Sequence, residues 1–317
     1  MNSGSLFEKI IHGDRQSLAK AITLVESTLD EHRIEAEQLI KSIVQHPTKS
    51  IRVAVSGIPG VGKSSFIEAL GLYLIEKFQK KVAVLAIDPS SPIGGGSLLG
   101  DKTRMQELSK QENAFIRPSP NSQTLGGVHL NTRESILLCE AAGFDVILVE
   151  TVGVGQSEMY ARYMVDFFAT FLLPKTGDQL QGLKKGIVEV SDLICIHKSD
   201  GDNEPQAKQT AFEYKTALSI FNPQKKDPIS ILETSIYKPK SIAQFWEVFQ
   251  KMESKLSESG RWEEKRRQQK NHWLKESILF NLHRRMEDLW AANQKEQFDT
   301  PYEIARNITT SKVHPTD

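Results

Sequence analysis

Cysteine is scarce in this chain. Two residues in 317 are too few for a disulfide framework. Cys139 falls in a helical stretch and Cys195 in the strand-like run Asp192-Leu-Ile-Cys-Ile196, so both read as small core residues, and a reducing cytoplasm is the expected home. Net charge is also missing, because Lys plus Arg and Asp plus Glu each total 40. At the level of the whole chain this leaves no electrostatic case for nucleic acid or an anionic membrane as partner. The start, Met1-Asn-Ser-Gly-Ser5, has neither the basic head nor the apolar middle of a signal peptide. The most apolar run, near Phe167 to Leu173, falls far short of the roughly 20 residues that cross a bilayer. What remains, at 39% hydrophobic and 25% charged, is the composition of a soluble globular protein. The length suits one large α/β domain with extensions, or two small domains.

Periodicity divides the chain into three parts. Residues 5 to about 45 read as helix, with Asp14 a candidate N-cap for a face of Leu18, Ala21, Ile22 and Val25. From 51 to about 235, strand candidates at 51–56, 82–87, 113–117, 145–150, 192–196 and 229–233 alternate with helical stretches. Apolar strands that lack alternation and are separated by helices predict a mainly parallel, doubly wound sheet covered on both faces. Arg261 to Trp290 reads as one long helix with Leu274, Ile278, Leu282, Met286 and Leu289 on one side. That face suits either its own domain or a dimer contact. The charged stretch Glu263 to Arg267 is expected to be a solvated face, and the residues after about 305 a frayed tail. Expected boundaries are a helical arm over 1–48, an α/β domain over 49–255 and a C-terminal helical arm over 256–317.

Chemistry concentrates after strand ends, where ligands sit in such sheets. Gly57, Ile58, Pro59, Gly60, Val61, Gly62, Lys63, Ser64 and Ser65 fit the pattern G-x-x-x-x-G-K-[ST]. They follow the β-branched run Ile51–Val55 and precede an apolar stripe at helical spacing, as a phosphate-binding P-loop requires. Its glycines let backbone N–H groups turn toward phosphate oxygens. Lys63 would reach the β- and γ-phosphates, and the Ser64 hydroxyl would bind Mg²⁺. Asp88, at the end of the second strand, could join the Mg²⁺ shell or hold a catalytic water; a turn or cap role is the plainer alternative. Asp101, beyond the glycine-rich loop Ile93–Gly100, is expected to belong to a switch.

Two further motifs complete the pattern. Glu150-Thr-Val-Gly153-Val-Gly155-Gln156-Ser-Glu158 has the form of the third nucleotide motif of GTPases, with Glu150 orienting Mg²⁺ through water where Asp is usual. His197-Lys198-Ser199-Asp200 follows the guanine-recognition pattern Asn-Lys-x-Asp, with His197 in place of Asn. An Asp there accepts hydrogen bonds from guanine N1–H and the 2-amino group, and the Lys stem covers the base. Thr234-Ser235-Ile236 stands where a backbone N–H would meet guanine O6. Together these residues predict GTP and GDP, with Mg²⁺, as ligands.

The set Gly57–Ser65, Asp88-Pro-Ser-Ser, Gly100-Asp-Lys-Thr-Arg-Met105, Glu150–Glu158 and Gly177-Asp-Gln-Leu-Gln-Gly-Leu-Lys-Lys-Gly186 resembles the MeaB/MMAA family, once labelled ArgK. These are G-protein metallochaperones of adenosylcobalamin-dependent methylmalonyl-CoA mutase. The resemblance implies a P-loop GTPase of the signal-recognition-particle and MinD class, with an N-terminal helical arm and a C-terminal dimerisation arm. It makes the Asp101 loop the first switch, Glu150–Glu158 the second, and Asp178 to Lys184 an additional switch. The implied catalytic set is Lys63, Asp101, Glu150, Asp178 and Lys184. The implied partners are a methylmalonyl-CoA mutase or related mutase and a second copy of the chain. Departures from the family pattern are His197, Ser199 for Ala, and Ile236 near the base. The alternative function is a kinase that passes the γ-phosphate to a small molecule or transport protein.

Overall fold

The computed structural model describes residues 3–27, 29–46, 49–87, 105–118, 125–151, 157–174, 190–221 and 229–293. Seven strands form one sheet in the order β3-β2-β4-β1-β5-β6-β7, with every neighbouring pair parallel. They are β1 Ile51–Gly57, β2 Val82–Ile87, β3 Ala114–Arg117, β4 Val146–Thr151, β5 Phe167–Leu172, β6 Leu193–His197 and β7 Ser230–Thr234. All six expected strands are present within a residue or two. The strand β5 is an addition. Its sequence Phe-Phe-Ala-Thr-Phe-Leu is buried on both faces, so it carries no period-2 signal by which to tell it from any short apolar run. It pairs directly with β1, with Val55 opposite Ala169, and so forms one wall of the P-loop.

The expected N-terminal helix is three: α1 Ser3–Ile11, α2 Arg15–Val25 and α3 Asp30–Gln45. Asp14 caps α2 as expected, its carboxylate accepting from Ser17 N at 2.7 Å. The predicted face of Leu18, Ala21, Ile22 and Val25 is buried. Helix α4, Lys63–Phe78, follows the P-loop. Then come α5 Gln106–Ser109, α6 Leu125–Ala141, α7 Ser157–Arg162, α8 Glu204–Phe221, α9 Pro239–Glu258 and α10 Arg261–Asn293. The sequence reading assigns nothing to α9, although Ile242, Phe245, Trp246 and Phe249 are spaced for one helical face, and all four are buried. Phe245 stacks at 4.8 Å on Phe66 of α4 and at 4.7 Å on Phe249. Phe66 in turn lies 4.8 Å from Phe171 of β5, so aromatic packing joins α9, α4 and the sheet.

Residues through Gln269 group as one compact unit and those from Lys270 as a second. In the second, α10 exposes Leu274, Ile278, Leu282 and Met286 by about half their area or more. In the first turns of α10 Glu263, Glu264 and Arg267 are exposed as expected of a solvated face, whereas Lys265 and Arg266 turn inward. Arg266 donates to Glu140 Oε1 at 3.0 Å and to Asp166 Oδ2 at 2.7 Å. Arg52 of β1 grips the same Glu140 with two bonds, at 2.7 and 2.5 Å. Burial alone would raise the Glu140 pKa; Arg52 and then Arg266 more than offset it and hold the carboxyl at about 2. Folding stability from this group is therefore present above the ordinary carboxylate range and lost as pH falls toward 2. Removing one member leaves buried charge without compensation. Glu140→Ala should lower the unfolding free energy by about 3–5 kcal/mol, read by urea unfolding at neutral pH, and an unchanged midpoint would refute the account.

Candidate nucleotide-binding site

Because the sheet is all parallel, Gly57, Thr151, Leu172, His197 and Thr234 all end their strands on one edge. At Gly57 the backbone has φ of +148°, and a Cβ there would lie 2.4 Å from Phe171 O of β5. Only glycine permits that approach. The loop turns through Val61 N to Ile58 O at 3.3 Å and reaches Gly62, the N-cap of α4, with φ of +105°. Lys63 begins the helix and curls back over its own loop. Its amine donates to Gly57 O at 2.8 Å and Ile58 O at 3.3 Å.

Register brings the second motif across. Val55 of β1 stands opposite Glu150 of β4, and Ser64 Oγ donates to Glu150 Oε1 at 2.8 Å. An alcohol and a carboxylate oxygen this close are hard donors that suit Mg²⁺. Among the described residues no cluster of three or more His, Cys, Asp or Glu could hold a metal by itself. The pair fits an ion that takes its other ligands from phosphate and water. Asp88, Asp101, Asp178, Lys184 and residues 152–156 lie outside the described residues.

The base-side motif is joined to the loop. His197, the last residue of β6, is 2% exposed and shares a hydrogen bond of 3.0 Å between Nδ1 and Thr234 Oγ1. Its ring meets Phe66 and Phe171 edge-on at 5.5 and 5.3 Å. On its other side the ring abuts Gly62, where a Cβ would be 3.0 Å from His197 Cδ2. Burial, and then the Lys198 charge, push the imidazole down to about 4, so it works as a neutral ring. Lys198, in a left-handed conformation with φ of +58°, lays its amine on Gly60 O at 2.9 Å. Asp200 Oδ1 accepts from Ser235 Oγ at 2.6 Å. Thr234 O takes two bonds from Ser199, and Ser235 N donates to Ser241 Oγ at 3.1 Å. Ile236 packs against the main core.

Sequence reasoning misses three supports here. Phe171 sets the glycine requirement, Ser241 caps the Thr234–Ile236 turn, and Lys238 reaches Ser199 O at 2.8 Å. The spacing Ser235 to Ser241 matches no motif, and the role of Phe171 depends on a strand without periodic signal.

His197 generates a prediction with two readouts. Its folded pKa lies below the ordinary 6.5, so stability falls as pH drops from about 6.5 toward about 4. His197→Asn should remove that part of the acid sensitivity, read by urea unfolding at pH 7 and pH 5. His197→Ala should weaken guanine-nucleotide binding by about tenfold through loss of ring contacts and packing. Equal affinities by calorimetry would overturn the second expectation.

The family model described as methylmalonyl-CoA mutase-associated GTPase MeaB matches residues 18–291. The chain is 45% identical over 291 residues to GTPase ArgK of Escherichia coli, across 89% of this chain and 87% of that protein. It is 43% identical over 290 residues to the mouse protein named methylmalonic aciduria type A homolog, mitochondrial, across 87% and 69%. The crystal structure of an LAO/AO transport system kinase superposes with a TM-score of 0.75 at 34% identity, covering 97% of this chain and 96% of that one. Similarity of this breadth, over a P-loop that meets a guanine-recognition motif at one sheet edge, makes this chain a member of the MeaB family, a GTPase that binds guanine nucleotide.

Proposed function

We propose that this GTPase is a nucleotide-driven metallochaperone that gates adenosylcobalamin loading and protection of methylmalonyl-CoA mutase or a related acyl-CoA mutase. The observation that carries the switch chemistry is the 2.8 Å contact between Ser64 and Glu150. It links the P-loop to the start of a motif that can register the γ-phosphate. Support for the mutase comes from the description of the matching family and the name of the mouse relative.

In this reading residues 57–65 cradle the phosphates. The Lys63 amine exchanges the Gly57 and Ile58 carbonyls for β- and γ-phosphate oxygens. Ser64 and Glu150, with Asp88 and Asp101, would hold Mg²⁺, which would supply neutralisation of phosphate charge. Asp101, Asp178 and Lys184 complete the catalytic set from the switch segments. Asp200 and Lys198 read the guanine, and His197, Thr234, Ser235 and Ile236 hold that edge in place. The chain acts as a homodimer through its C-terminal arm, within 256–317, and the support is the exposed apolar face of α10. The helical arm over 1–48 and the GTPase domain over 49–255 make up the rest.

A kinase is the second reading, favoured by the 34% identity to a protein named as a transport system kinase. Incubation with γ-labelled GTP, with and without the mutase, separates the two. Free phosphate, released faster with mutase, supports the chaperone; label on an acceptor supports the kinase. Calorimetry should show mutase affinities in GDP and in a non-hydrolysable GTP analogue that differ by about 5- to 150-fold, the usual span of allosteric coupling. Equal affinities and no rate change would remove the chaperone reading.

Asp200 should set base choice. Asp200→Asn removes a charge-assisted acceptor for guanine and offers an amide donor, so guanine affinity should fall by roughly 1.5–3 kcal/mol while xanthine nucleotides gain. Competition binding with GTP, XTP and ATP measures this. A variant that keeps full guanine preference would overturn the assignment.

A further inference from the structure

Between α7 and β5 the chain runs through Tyr163, Met164, Val165 and Asp166, and each of their four successive carbonyls is held by a side chain from elsewhere. Arg133 Nη1 donates to Tyr163 O at 3.3 Å, and Arg52 Nη1 to Met164 O at 3.4 Å. Gln269 Nε2 donates to Val165 O at 2.7 Å, and Lys265 Nζ donates to Asp166 O. The Asp166 carboxylate is taken as well, by Arg266 at 2.7 Å and by Arg52 N at 2.8 Å. Gln269 also accepts from Arg52 at 3.3 Å and is itself 3% exposed. Three of these gripping side chains, Lys265, Arg266 and Gln269, stand on the first turns of α10. The remainder come from β1 and α6.

Met164, Val165 and Asp166 are buried, so their carbonyls must find donors within the protein. Side chains of β1 and α10 supply all three. Here buried cations and an amide are spent on four residues, and burial pushes the Lys265 amine down to about 8. The position of the connector explains the investment. Upstream it is joined through the six-residue α7 to the segment that begins at Glu150. Downstream it opens β5, whose far end presses Phe171 O against Gly57 of the P-loop. A shift of the connector would therefore reach the nucleotide from two directions.

We propose that Gln269 and Lys265 are positioning residues for GTP hydrolysis. They touch no nucleotide. By holding the Val165 and Asp166 carbonyls they fix the seat of α7, which carries Glu158, and of β5, which backs Gly57. The first turns of α10 thereby belong to the machinery that sets the hydrolysis rate. The inference rests on the proposed reading of Glu150–Glu158 as the segment that registers the γ-phosphate.

The test compares full-length Gln269→Met and Lys265→Met, which keep side-chain length and lose the donor, with Lys265→Arg and the exposed control Gln268→Met. Each first variant should lower kcat for GTP roughly fivefold, the equivalent in rate of one buried hydrogen bond. KM should stay within about twofold, since uniform binding is untouched. Lys265→Arg should restore most of the rate, and Gln268→Met should leave it unchanged. Unaltered kcat in both Met variants would overturn the proposal. So would a loss that disappears on cooling below the variant's unfolding transition, which would mark a purely structural role. If the Met variants do not fold, hydrogen exchange in the wild-type chain decides. Peptides covering 163–169 and 261–269 should exchange differently in GDP and in a non-hydrolysable GTP analogue, and identical exchange would overturn the proposal. Glu150→Gln separates the positioning role from the switch on which it rests. If it slows turnover while the Met variants do not, only the positioning role fails. If it turns over at the wild-type rate, the reading beneath fails and takes this inference with it.

Discussion

A parallel strand cannot return through a hairpin; each must be followed by a crossover that carries the chain back to the starting edge. Seven strands under that constraint deliver seven carboxyl ends to one side. The candidate nucleotide residues are scattered from Gly57 to Ile236, and the constraint alone collects those the structure describes. Which of them touch is then a matter of strand order. Placing β4 on one side of β1 puts Glu150 beside Ser64, and placing β5 and β6 on the other puts Phe171 under Gly57 and His197 against Gly62. Had β5 been absent from that order, the base motif would have stood one strand nearer. The P-loop would have lost the wall that enforces its first glycine.

Much of this was legible beforehand for a physical reason. A phosphate cradle needs glycines at fixed positions, an amine and an alcohol, and those residue types cannot be exchanged freely, so they leave a pattern in one sequence. Packing leaves a weaker mark. Strand β5 must be apolar on both faces and so resembles any apolar run. Helix α9 carries its period openly at Ile242, Phe245, Trp246 and Phe249, yet the period names no partner surface. The charged run at Glu263–Arg267 marks the limit of composition as evidence. Charged stretches are solvated on average, and here Arg266 is drawn in because Glu140 and Asp166, distant in sequence, wait at the buried edge. No local rule can supply that pairing. Of the catalytic expectations, Lys63 and Glu150 stand at the same sheet edge, while Asp88, Asp101, Asp178 and Lys184 lie outside the described residues.

The departure at His197 shows how a site tolerates an unusual residue. Asparagine in this motif offers an amide to neighbouring backbone. A histidine in its place must either carry a buried charge or stay neutral and fill space. Burial beside Lys198 forces the second course, and the aromatic edges of Phe66 and Phe171 supply the contacts a neutral ring can use. Direct bonding to the P-loop passes to Lys198, whose amine lies on Gly60 O. The tie between base motif and phosphate loop therefore survives by a different division of labour: a ring packed on Gly62 and an ammonium bonded two residues earlier.

The two edges of the sheet use cations in opposite ways, and the difference follows from their partners. At the carboxyl edge the Lys63 amine rests on the backbone carbonyls of Gly57 and Ile58. A carbonyl is a neutral dipole, so a phosphate oxygen can displace it at little cost, and the amine gains a charged acceptor in exchange. At the amino edge Arg52 and Arg266 are held by the buried carboxylates of Glu140 and Asp166. Separating those would leave charge without compensation in a low-dielectric interior, so they do not exchange partners. Lysine with its single mobile ammonium suits the first duty, and arginine with its planar fork suits the second. An enzyme that must rearrange at one edge while its frame stays fixed at the other needs both kinds of contact. Here the charge that can be handed to a ligand and the charge that cannot stand at opposite ends of the same strand, with Arg52 near the start of β1 and the Lys63 amine resting on Gly57, its last residue.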